Sequence, residues 1–527
     1  MQWKTHALLL ALGLATTGQL ATAAAPKPQP GSVYDQRERD WRNGAIVYQV
    51  IVDRFAPAKD LAAKRALYPA PKRLRDWGEV PAAGTYLPEY KVNSAELDFW
   101  GGDLASTTAH LGHVRRLGAQ VLYLNPIHLG WTNHKYDTLD YQAISPEYGN
   151  RDDFRRLAAE AHRLGMKVVL DGVFNHMGRN APAFQQAMAD ANSPYRPWFA
   201  IGPQYEGGAR VWTGFQNHPE LNLDHPPVRR HLWLDRDSVV RSYLRDGADG
   251  WRLDTAFELG PRYLRELTDA AHREKPGSLV IGEIANYPGE WLKGQDGVMN
   301  FTLREILLDM ARGTTTAPAA SRMIDRLIGD AGIEPMLKSW TLLDNHDVPR
   351  IATQVPDEAP RRMLQALQFT LPGSPNLYYG AEVGMTGGAD PANRGPMRWD
   401  LVADQHPETV WLRKLIDLRA QHRALRVGDF RRIDAEQLLA FERHTDKALE
   451  TLVIIANPSR QTVRERLLVP NPWLMDGTPL RDVLGAAPVG FGINHGLLSV
   501  ELPPQSVLVL QPQPQPMGGY SRYKNVR

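Results

Sequence analysis

Acidic and basic residues follow short apolar segments at several places in the chain. Asp171 ends one such segment, Arg252 and Asp254 end a second, and Glu283 ends a third. A further segment, WTLLDNHD at 340–347, ends in an Asn-His-Asp triplet. A single carboxylate in such a place usually caps a helix or forms an ion pair. Their joint occurrence after successive apolar segments favours one shared polar cavity.

Several carboxylates around one cavity suit glycoside hydrolysis, in which a carboxylate attacks the anomeric carbon and a carboxylic acid protonates the leaving oxygen. Arg252 precedes Asp254 by two residues, so in a strand both side chains share a face, and we expect the cation to keep Asp254 ionised. Glu283 follows the apolar pair Ile281-Gly282, where burial should raise its pKa and retain a proton. The chain has no nucleophile elbow, phosphate-binding glycine loop or zinc-binding helix with two histidines.

Alternating apolar and amphipathic segments predict how these residues are positioned. Strands are predicted at 45–52, 121–126, 167–175, 250–254, 279–283, 298–301, 340–347 and 376–384. Nearly continuous apolar character is typical of strands that are covered on both faces. Helical periodicity lies between them at 104–117, 150–165, 261–274, 302–312, 360–371 and 409–424. Eight such units predict an α/β fold, a (β/α)8 TIM barrel with its active site at the carboxyl ends of the strands.

The same patterns predict the domain organisation. The catalytic barrel spans 45–426, and the long connection at about 176–227, without helical periodicity, is predicted to be an inserted subdomain after the third strand. Short alternating segments over 427–511 predict a C-terminal antiparallel β-sandwich. Residues 26–44 are predicted to be a linker and 512–527 a flexible tail, because Pro, Gln and Gly-rich segments bury little apolar surface.

Residues 1–25 have the pattern of a cleaved secretory signal peptide: a basic residue, a short apolar segment at 7–14 and small residues before the cleavage point. We therefore expect a periplasmic or secreted protein with no membrane association after cleavage. The absence of cysteine excludes disulfides, iron–sulfur clusters, a cysteine nucleophile and a lipoprotein anchor. Lys and Arg total 61 against 59 Asp and Glu, which gives no electrostatic reason to expect a nucleic-acid partner.

In order along the chain, DGVFNH (171–176), GWRLD (250–254), GE (282–283) and DNHD (344–347) resemble the four motifs of the α-amylase superfamily, glycoside hydrolase family 13. The resemblance implies that Asp254 is the nucleophile, Glu283 the acid/base and Asp347 a third carboxylate that stabilises the transition state. It also implies a set of substrate-binding residues. They are Tyr136, His176, Arg252, His346, Asp390 and Arg394.

Within this superfamily, NHKYDTLDY (133–141), LDTAFEL (253–259) and the segment 378–400 are similar to the cyclomaltodextrinase, neopullulanase and maltogenic amylase group. Glu258 is typical of that group and is expected to bind substrate near the acceptor side. The resemblance implies a retaining α-glucan hydrolase that cleaves α-1,4-glucosidic bonds in maltooligosaccharides, cyclodextrins or starch fragments. An α-glucanotransferase with the same residues and a noncatalytic glycan-binding protein are the alternatives.

Calcium and oligomeric state stay open at this stage. The chemistry requires no cofactor, but relatives often bind calcium, and Asn175 matches one of their ligands. Asn222 stands where α-amylases often have an aspartate, and calcium needs six to eight oxygen ligands, so calcium remains only an option. Members of the cyclomaltodextrinase group usually carry an additional N-terminal β domain that helps to form a dimer. Here the first strand follows the predicted signal peptide closely, so the oligomeric state is unknown.

Overall fold

A computed structural model describes residues 32–485, 490–515 and 518–526. The predicted signal peptide and the Pro-rich first part of the predicted linker lie outside these residues. Within the described segments, no helix is both long and apolar enough to cross a membrane.

Eight parallel strands form a closed barrel, which confirms the predicted fold class. In chain order they are β1 Val47–Val50, β2 Val121–Leu124, β3 Lys167–Gly172, β4 Gly250–Leu253, β5 Leu279–Ile284, β6 Gly297–Asn300, β7 Trp340–Thr341 and β8 Ser374–Tyr378. Val47 of β1 lies opposite both Val121 of β2 and Asn376 of β8, and this pairing closes the cylinder. Every observed strand overlaps one of the predicted apolar segments.

Alternation of side chains along the strands gives the barrel two apolar layers. The layer inside the cylinder consists of Ala45, Val47, Val121, Tyr123, Val169, Leu279, Ile281, Met299, Trp340 and Leu342. The intervening residues, such as Tyr48, Leu122 and Trp251, point outward and pack with the helices in a larger cluster. The barrel is therefore filled with apolar side chains along most of its length, and polar residues follow at its carboxyl end.

Helices surround the barrel close to their predicted positions. The longer ones are Val33–Arg39, Leu104–Leu117, Arg151–Arg163, Pro182–Ala189, Val239–Arg245, Ala256–Glu274, Phe301–Arg312, Ala317–Ala331, Ile333–Lys338, Glu358–Thr370, Pro407–Gln421 and Arg423–Val427. The side chain of Asn150 accepts hydrogen bonds from the backbone N–H groups of Asp152 and Asp153, so it caps its helix as predicted. The helix Ala256–Glu274 is interrupted at Gly260, which has a φ of +79° and precedes Pro261.

The linker prediction is wrong for residues 33–39, which form a helix. Ser32 caps this helix, and the buried Arg37 forms ion pairs with Glu334 at 2.7 Å and Asp429 at 2.9 Å. These partners are about 300 to 390 positions away in the chain, so no local pattern could reveal them. The helix therefore connects the barrel to the C-terminal sheet.

The insert after β3 also contains more regular structure than predicted. Pro182–Ala189 is a helix with only Phe184 and Ala187 buried, and two turns are too few to show a helical period in the sequence. Isolated bridges such as His176 to Glu220 and Val211 to Pro219 hold the rest of the insert together.

A second long connection, residues 51–103 between β1 and its helix, was not predicted. We call it the β1 excursion. It contains short strand pairs, Arg73–Leu74 with Asp98–Phe99 and Tyr86–Leu87 with Val92–Asn93. Pairs of two residues leave no alternation to detect, which explains why the sequence analysis missed them.

The C-terminal domain is antiparallel, as predicted. Its strands are β9 Asp429–Ile433, β10 Leu439–His444, β11 Leu452–Asn457, β12 Val463–Leu468, β13 Thr478–Asp482, β14 Phe491–Ile493, β15 Leu497–Leu502 and β16 Ser506–Pro512. Six of them form a sheet in the order β9-β10-β11-β16-β13-β14, and β12 pairs with β15. The prediction of a flexible tail is wrong for Tyr523, which is buried and whose hydroxyl contacts Met475 N and Thr478 Oγ1 at 3.0 and 2.7 Å.

Candidate active site

The columns of inward-facing side chains on β3, β4 and β5 end in charged residues. On β3 the apolar Val169 is followed two residues later by Asp171, and both face the interior. The same alternation on β4 leads to Arg252 and then to Asp254 just past the strand, and on β5 it leads to Glu283. The period of two therefore brings these four residues together at the carboxyl end of the barrel.

Arg252 joins three of the carboxylates. Its fully buried guanidinium lies 2.9 Å from Asp171 Oδ1, 3.0 Å from Asp254 Oδ1 and 2.9 Å from Glu283 Oε1. The backbone N–H of Thr255 also donates to Glu283 Oε2 at 2.9 Å. Asp254 and Glu283 thus contact one cation, an arrangement that suits the closely spaced carboxyl pair of a retaining glycosidase.

The shared cation changes the electrostatics that the sequence suggested. Burial raises the pKa of Asp254 well above its ordinary value, Arg252 opposes this shift, and the charge of Glu283 adds to it. Burial also raises the pKa of Glu283 against the effect of Arg252, as predicted. Arg252 lowers the pKa of Asp254, as predicted, but its one positive charge is shared among three carboxylates and burial outweighs its effect.

Tyr136 forms a flat platform beside this group. Its hydroxyl donates to Asp171 Oδ2 at 2.9 Å and accepts from Asn125 Nδ2 at 2.9 Å. Its ring lies parallel to that of His346, with centroids 5.4 Å apart. The amide nitrogen of Gln49 donates to His346 Nδ1 at 2.9 Å, so the proton is on Nε2, which donates to the Tyr136 hydroxyl at 2.5 Å.

Asp347 and Arg394 meet on another side of the site. Arg394 Nη2 lies 3.3 Å from Asp347 Oδ1, and Arg394 Nε lies 3.3 Å from Asp390 Oδ1. The Arg394 Nε–H also donates to the backbone oxygen of His346 at 2.8 Å. The side chain of Asp347 is 38% exposed, so its carboxylate remains accessible to a ligand.

His176 contributes a buried, neutral imidazole. Its ring stacks on Trp212 at 5.3 Å and lies 4.7 Å from the ring of His218. Burial lowers the pKa of His176 to about 3, so the ring is uncharged near neutral pH. Among the described residues no group forms a hydrogen bond with the buried Nε2 of His176, and His176 belongs to the lining of the cleft.

Glu258 has a different position from the other predicted site residues. It is exposed, and its carboxylate accepts hydrogen bonds from Trp212 Nε1 at 3.1 Å and Asn175 Nδ2 at 3.3 Å. Trp212 is among the residues that line the cleft, whereas Glu258 is not. In the ligand-free structure Glu258 therefore positions Trp212.

The surroundings of Asn175 do not fit a calcium site. Its amide contacts Glu258, and the amide of Asn222 is occupied by Pro197 O and the N–H of Asp224. Across the part of the chain that the structure describes, no cluster of three or more acidic or histidine side chains could hold a metal ion. Acidic and histidine side chains alone therefore do not supply the six to eight oxygen ligands that calcium requires.

One cleft of about 550 Å³ receives most of these side chains. Its predicted lining residues are Tyr136, His176, Asp254, Glu283, Asp347, Asp390 and Arg394. Arg252 and His346 lie just beneath its surface, in contact with residues that line it. The lining also includes residues outside the predicted site. These are Arg54, Ala83, Gly84, Asn93, Ala95, Glu96, Asn133, His134, Trp212, Phe215, His218, Thr255, Phe257, Ala285 and Pro391.

Most of the unpredicted lining residues come from the β1 excursion and the insert. No motif marks Glu96, and the excursion has no long apolar segment that would indicate its place in the fold. His134 and Asn133 lie within a motif that was identified, NHKYDTLDY, and their proximity to Tyr136 was the available signal.

A family model described as the catalytic domain of α-amylase matches residues 49–413. The chain belongs to the α-amylase family. The protein is therefore a glycoside hydrolase, and the matched segment contains every residue of the cleft described above.

Similar proteins belong to the group that the sequence motifs indicated. The chain is 34% identical over 484 residues to a cyclomaltodextrinase of Geobacillus thermopakistaniensis, covering 88% of this chain and 76% of that protein. It is 32% identical over 442 residues to neopullulanase 2 of Thermoactinomyces vulgaris, with 80% and 71% covered. These matches confirm the predicted resemblance.

Among solved structures, the fold is similar to that of a cyclic α-maltosyl-(1→6)-maltose hydrolase from Arthrobacter globiformis. The TM-score is 0.74 at 28% identity, and the match covers 90% of this chain and 99% of that one. This chain therefore spans nearly the whole Arthrobacter enzyme but about three quarters of the Geobacillus cyclomaltodextrinase.

Proposed function

We propose that the protein hydrolyses α-1,4-glucosidic bonds in maltooligosaccharides, cyclodextrins or starch fragments by double displacement, with retention of configuration. The observation that carries this proposal is the pair Asp254 and Glu283 on one guanidinium, with Asp347 in the same cleft. The names of the similar proteins, cyclomaltodextrinase and neopullulanase, support an α-glucan as the substrate.

In the first step, an oxygen of Asp254 attacks C1 of the glucose unit, and the bond from C1 to the bridging oxygen breaks. Glu283 donates its proton to that oxygen, which leaves as a sugar hydroxyl. Burial raises the pKa of Glu283, which keeps a proton available above the ordinary range of a glutamate. Because burial raises the pKa of Asp254 as well, the two roles are assigned from the motifs that contain these residues.

In the second step, water attacks C1 of the glycosyl ester on Asp254. The Glu283 carboxylate, now ionised, takes the proton of that water, and the bond from C1 to Asp254 breaks. Asp254 leaves as a carboxylate 3.0 Å from Arg252, whose charge stabilises it. The two steps balance in atoms, protons and electron pairs, and they need no reactant besides the substrate and water.

The remaining residues suit the binding of the sugar ring. The face of Tyr136 provides a stacking surface, and His176 Nε2 provides a polar atom without a protein partner in the described chain. Asp347 and Arg394 offer an acceptor and a donor for vicinal hydroxyls. Interactions that strengthen as the ring flattens would lower the barrier for the oxocarbenium-like transition state.

The proposal is tested by incubating the purified protein with β-cyclodextrin, pullulan and soluble starch and by measuring the reducing sugar released. Nuclear magnetic resonance should show the α-anomer first, and its later conversion to the equilibrium mixture. A β-anomer as the first product would contradict double displacement. Products longer than the substrate in the presence of excess maltose would identify a glucanotransferase.

We also propose that hydrolysis needs no metal ion, because the two carboxyls and water complete both steps. Dialysis against EDTA should leave kcat/KM unchanged within experimental error. A loss of activity that calcium restores would contradict this proposal.

Export through the N-terminal segment is likewise a proposal, which the composition of residues 1–25 supports. Expression of the full chain in a Gram-negative host should yield a mature protein that begins within a few residues of Ala25. An unprocessed N-terminus in the cytoplasmic fraction would contradict it.

A further inference from the structure

One wall of the cleft comes from the β1 excursion, which contributes no residue to the proposed catalytic steps. Besides Arg54, the residues of the excursion that line the cleft are Ala83, Gly84, Asn93, Ala95 and Glu96, and we call these five the wall residues. Glu96 is the one carboxylate among these five, and its side chain is 29% exposed. A partly exposed carboxylate that faces a sugar-binding cleft is a candidate acceptor for sugar hydroxyls.

The wall is attached to the motif that supplies the Tyr136 platform. The backbone N–H of Asn133 donates to Glu96 O at 2.8 Å, and its side-chain amide donates to Ala95 O and Asp98 O, each at 2.8 Å. Asn133 is itself almost fully buried. The position of Glu96 relative to Tyr136 is therefore fixed by three hydrogen bonds.

The carboxylate of Glu96 is oriented but not saturated. Oε1 accepts from the backbone N–H of Asn93 at 2.8 Å, and Oε2 lies 3.2 Å from His134 Nε2. The N–H of Tyr136 donates to His134 Nδ1 at 3.1 Å, so His134 carries its proton on Nε2 and is the donor to Glu96. A carboxylate has about four acceptor positions, and these two bonds leave the others for a ligand.

Glu96 is also ionised near neutral pH. Burial opposes ionisation, but the hydrogen bonds from His134 and from the Asn93 backbone outweigh it and lower the pKa of Glu96. Hydrogen bonds to a charged acceptor are stronger than those between neutral groups. An ionised Glu96 would therefore favour a substrate that places a hydroxyl group beside it over a substrate that does not.

The hydrogen bonds of the excursion favour a position for Glu96 on the non-reducing side. Glu283 protonates the oxygen of the leaving sugar, so the leaving side lies next to Glu283 and the neighbouring Ala285. The excursion is instead joined to the segment that carries Arg394: the indole N–H of Trp77 donates to Met397 O at 3.0 Å, and Arg54 donates to Arg394 O.

We propose that Glu96, oriented by His134, accepts hydrogen bonds from the glucose unit that precedes the cleaved one on the non-reducing side. It would then be a specificity-determining residue that favours substrates with at least two glucose units before the scissile bond. This inference rests on the proposed function, since it assumes that Glu283 marks the leaving side.

The test compares two chromogenic substrates that differ by one glucose unit. In p-nitrophenyl α-maltoside two glucose units precede the nitrophenol, and in p-nitrophenyl α-glucoside only one does. Glu96→Ala should lower kcat/KM for the maltoside by about 10-fold to 100-fold, the value of a charge-assisted hydrogen bond, mainly through KM. The glucoside should be hydrolysed as by the wild type. Glu96→Gln keeps an acceptor for the Asn93 N–H and should show a smaller loss of the same kind.

Glu89→Gln, an exposed carboxylate in the same excursion, is the matched control and should leave both substrates unchanged. Equal losses on both substrates would show that Glu96 only supports the fold of the wall, and unchanged values in both Glu96 variants would show that it binds no sugar. Either result overturns this inference while leaving the proposed function intact. A wild-type protein that hydrolyses neither these substrates nor the glucans would overturn the proposed function, and this inference with it.

Discussion

The two ends of the barrel each contain a fully buried arginine, but the partners of the two side chains differ. At the carboxyl end, Arg252 contacts carboxylates, and although burial opposes it, Asp171 and Glu283 raise the pKa of Arg252. At the amino end, Arg419 donates to backbone oxygens, including Gly44 O at 3.0 Å and Phe369 O at 2.7 Å. Burial lowers the pKa of Arg419 well below its usual value.

The single strand β4 shows the same difference between the two ends. Asp249 precedes the strand and is bonded to His162 and Lys275, and although burial opposes the shift, these partners lower its pKa to about 2. Asp254 follows the strand and has a raised pKa. A buried charge therefore indicates catalysis only when its partners are themselves ionisable and poorly compensated. A buried charged side chain stabilises the fold when its partners are backbone carbonyls, as for Arg419, or groups of opposite charge that balance it, as for Asp249.

The largest expected effect is the loss of the nucleophile. Asp254→Asn should lower kcat for soluble glucans by about four orders of magnitude or more, because the amide cannot form the glycosyl ester, while circular dichroism stays native. Asp249→Asn on the same strand is the matched control and should retain kcat per folded molecule. Comparable activity of Asp254→Asn and the wild type would refute the assignment of the nucleophile.

Removal of the buried arginines should separate catalysis from stability. Arg252→Met should lower kcat/KM by about 100-fold to 1,000-fold, because three carboxylates lose their cation. Arg419→Met leaves backbone carbonyls unpaired at roughly 1–3 kcal/mol each, so it should lower the free energy of unfolding without changing kcat per folded molecule. Arg252→Lys, which keeps the charge, should fold and retain more activity than Arg252→Met. Equal kcat values for Arg252→Met and Arg419→Met would contradict the view that Arg252 serves catalysis and Arg419 serves stability.

The two aspartates of β4 should give opposite dependences of stability on pH. The lowered pKa of Asp249 stabilises the fold above its ordinary pKa of 3.8, and this contribution is lost as the pH falls toward about 2. The raised pKa of Asp254 contributes stability at low pH that is lost as the pH rises above 3.8. At pH 7, Asp249→Asn should therefore lower the free energy of unfolding by about 2 kcal/mol, whereas Asp254→Asn should raise it.

Urea unfolding at a series of pH values measures both effects. In Asp254→Asn, the free energy of unfolding should fall less than in the wild type as the pH rises toward neutral. In Asp249→Asn, it should fall less than in the wild type as the pH is lowered into the acid range. If both substitutions changed the free energy of unfolding at pH 7 in the same direction, the carboxylates at the two ends of β4 would not have opposite effects on stability.

The smallest effect concerns the hydroxyl groups that support the carboxylates. Tyr123 faces the barrel interior and donates to Asp171 Oδ2 at 2.6 Å. Tyr48 faces outward and donates to Glu382 Oε1 at 2.6 Å. Each Tyr→Phe variant should lower the free energy of unfolding by about 1 kcal/mol, but only Tyr123→Phe should also lower kcat/KM, by a few-fold, since Asp171 positions Arg252. An equal loss of kcat/KM in Tyr48→Phe would argue against this positioning role.

The sequence alone determined the barrel and the charged residues at the carboxyl end of its strands. Strands covered on both faces need nearly continuous apolar residues, and the period of two then requires Asp171, Arg252 and Glu283 to share the interior with the apolar residues that precede them. These rules act within a few residues of the chain, so the four polar motifs could be assigned to one end of the barrel before any contact was known.

Only the tertiary structure decided how charge is divided and what forms the rest of the cleft. Arg252 meets Asp171 across 81 positions, and Glu96 meets His134 across 38. The helix at 33–39, the β1 excursion and the hydrogen bond between Trp212 and Glu258 also depend on contacts distant in the chain. The pKa of a carboxylate and the direction of its side chain follow from all neighbouring groups at once, and spacing within one segment contains no information about groups supplied by another.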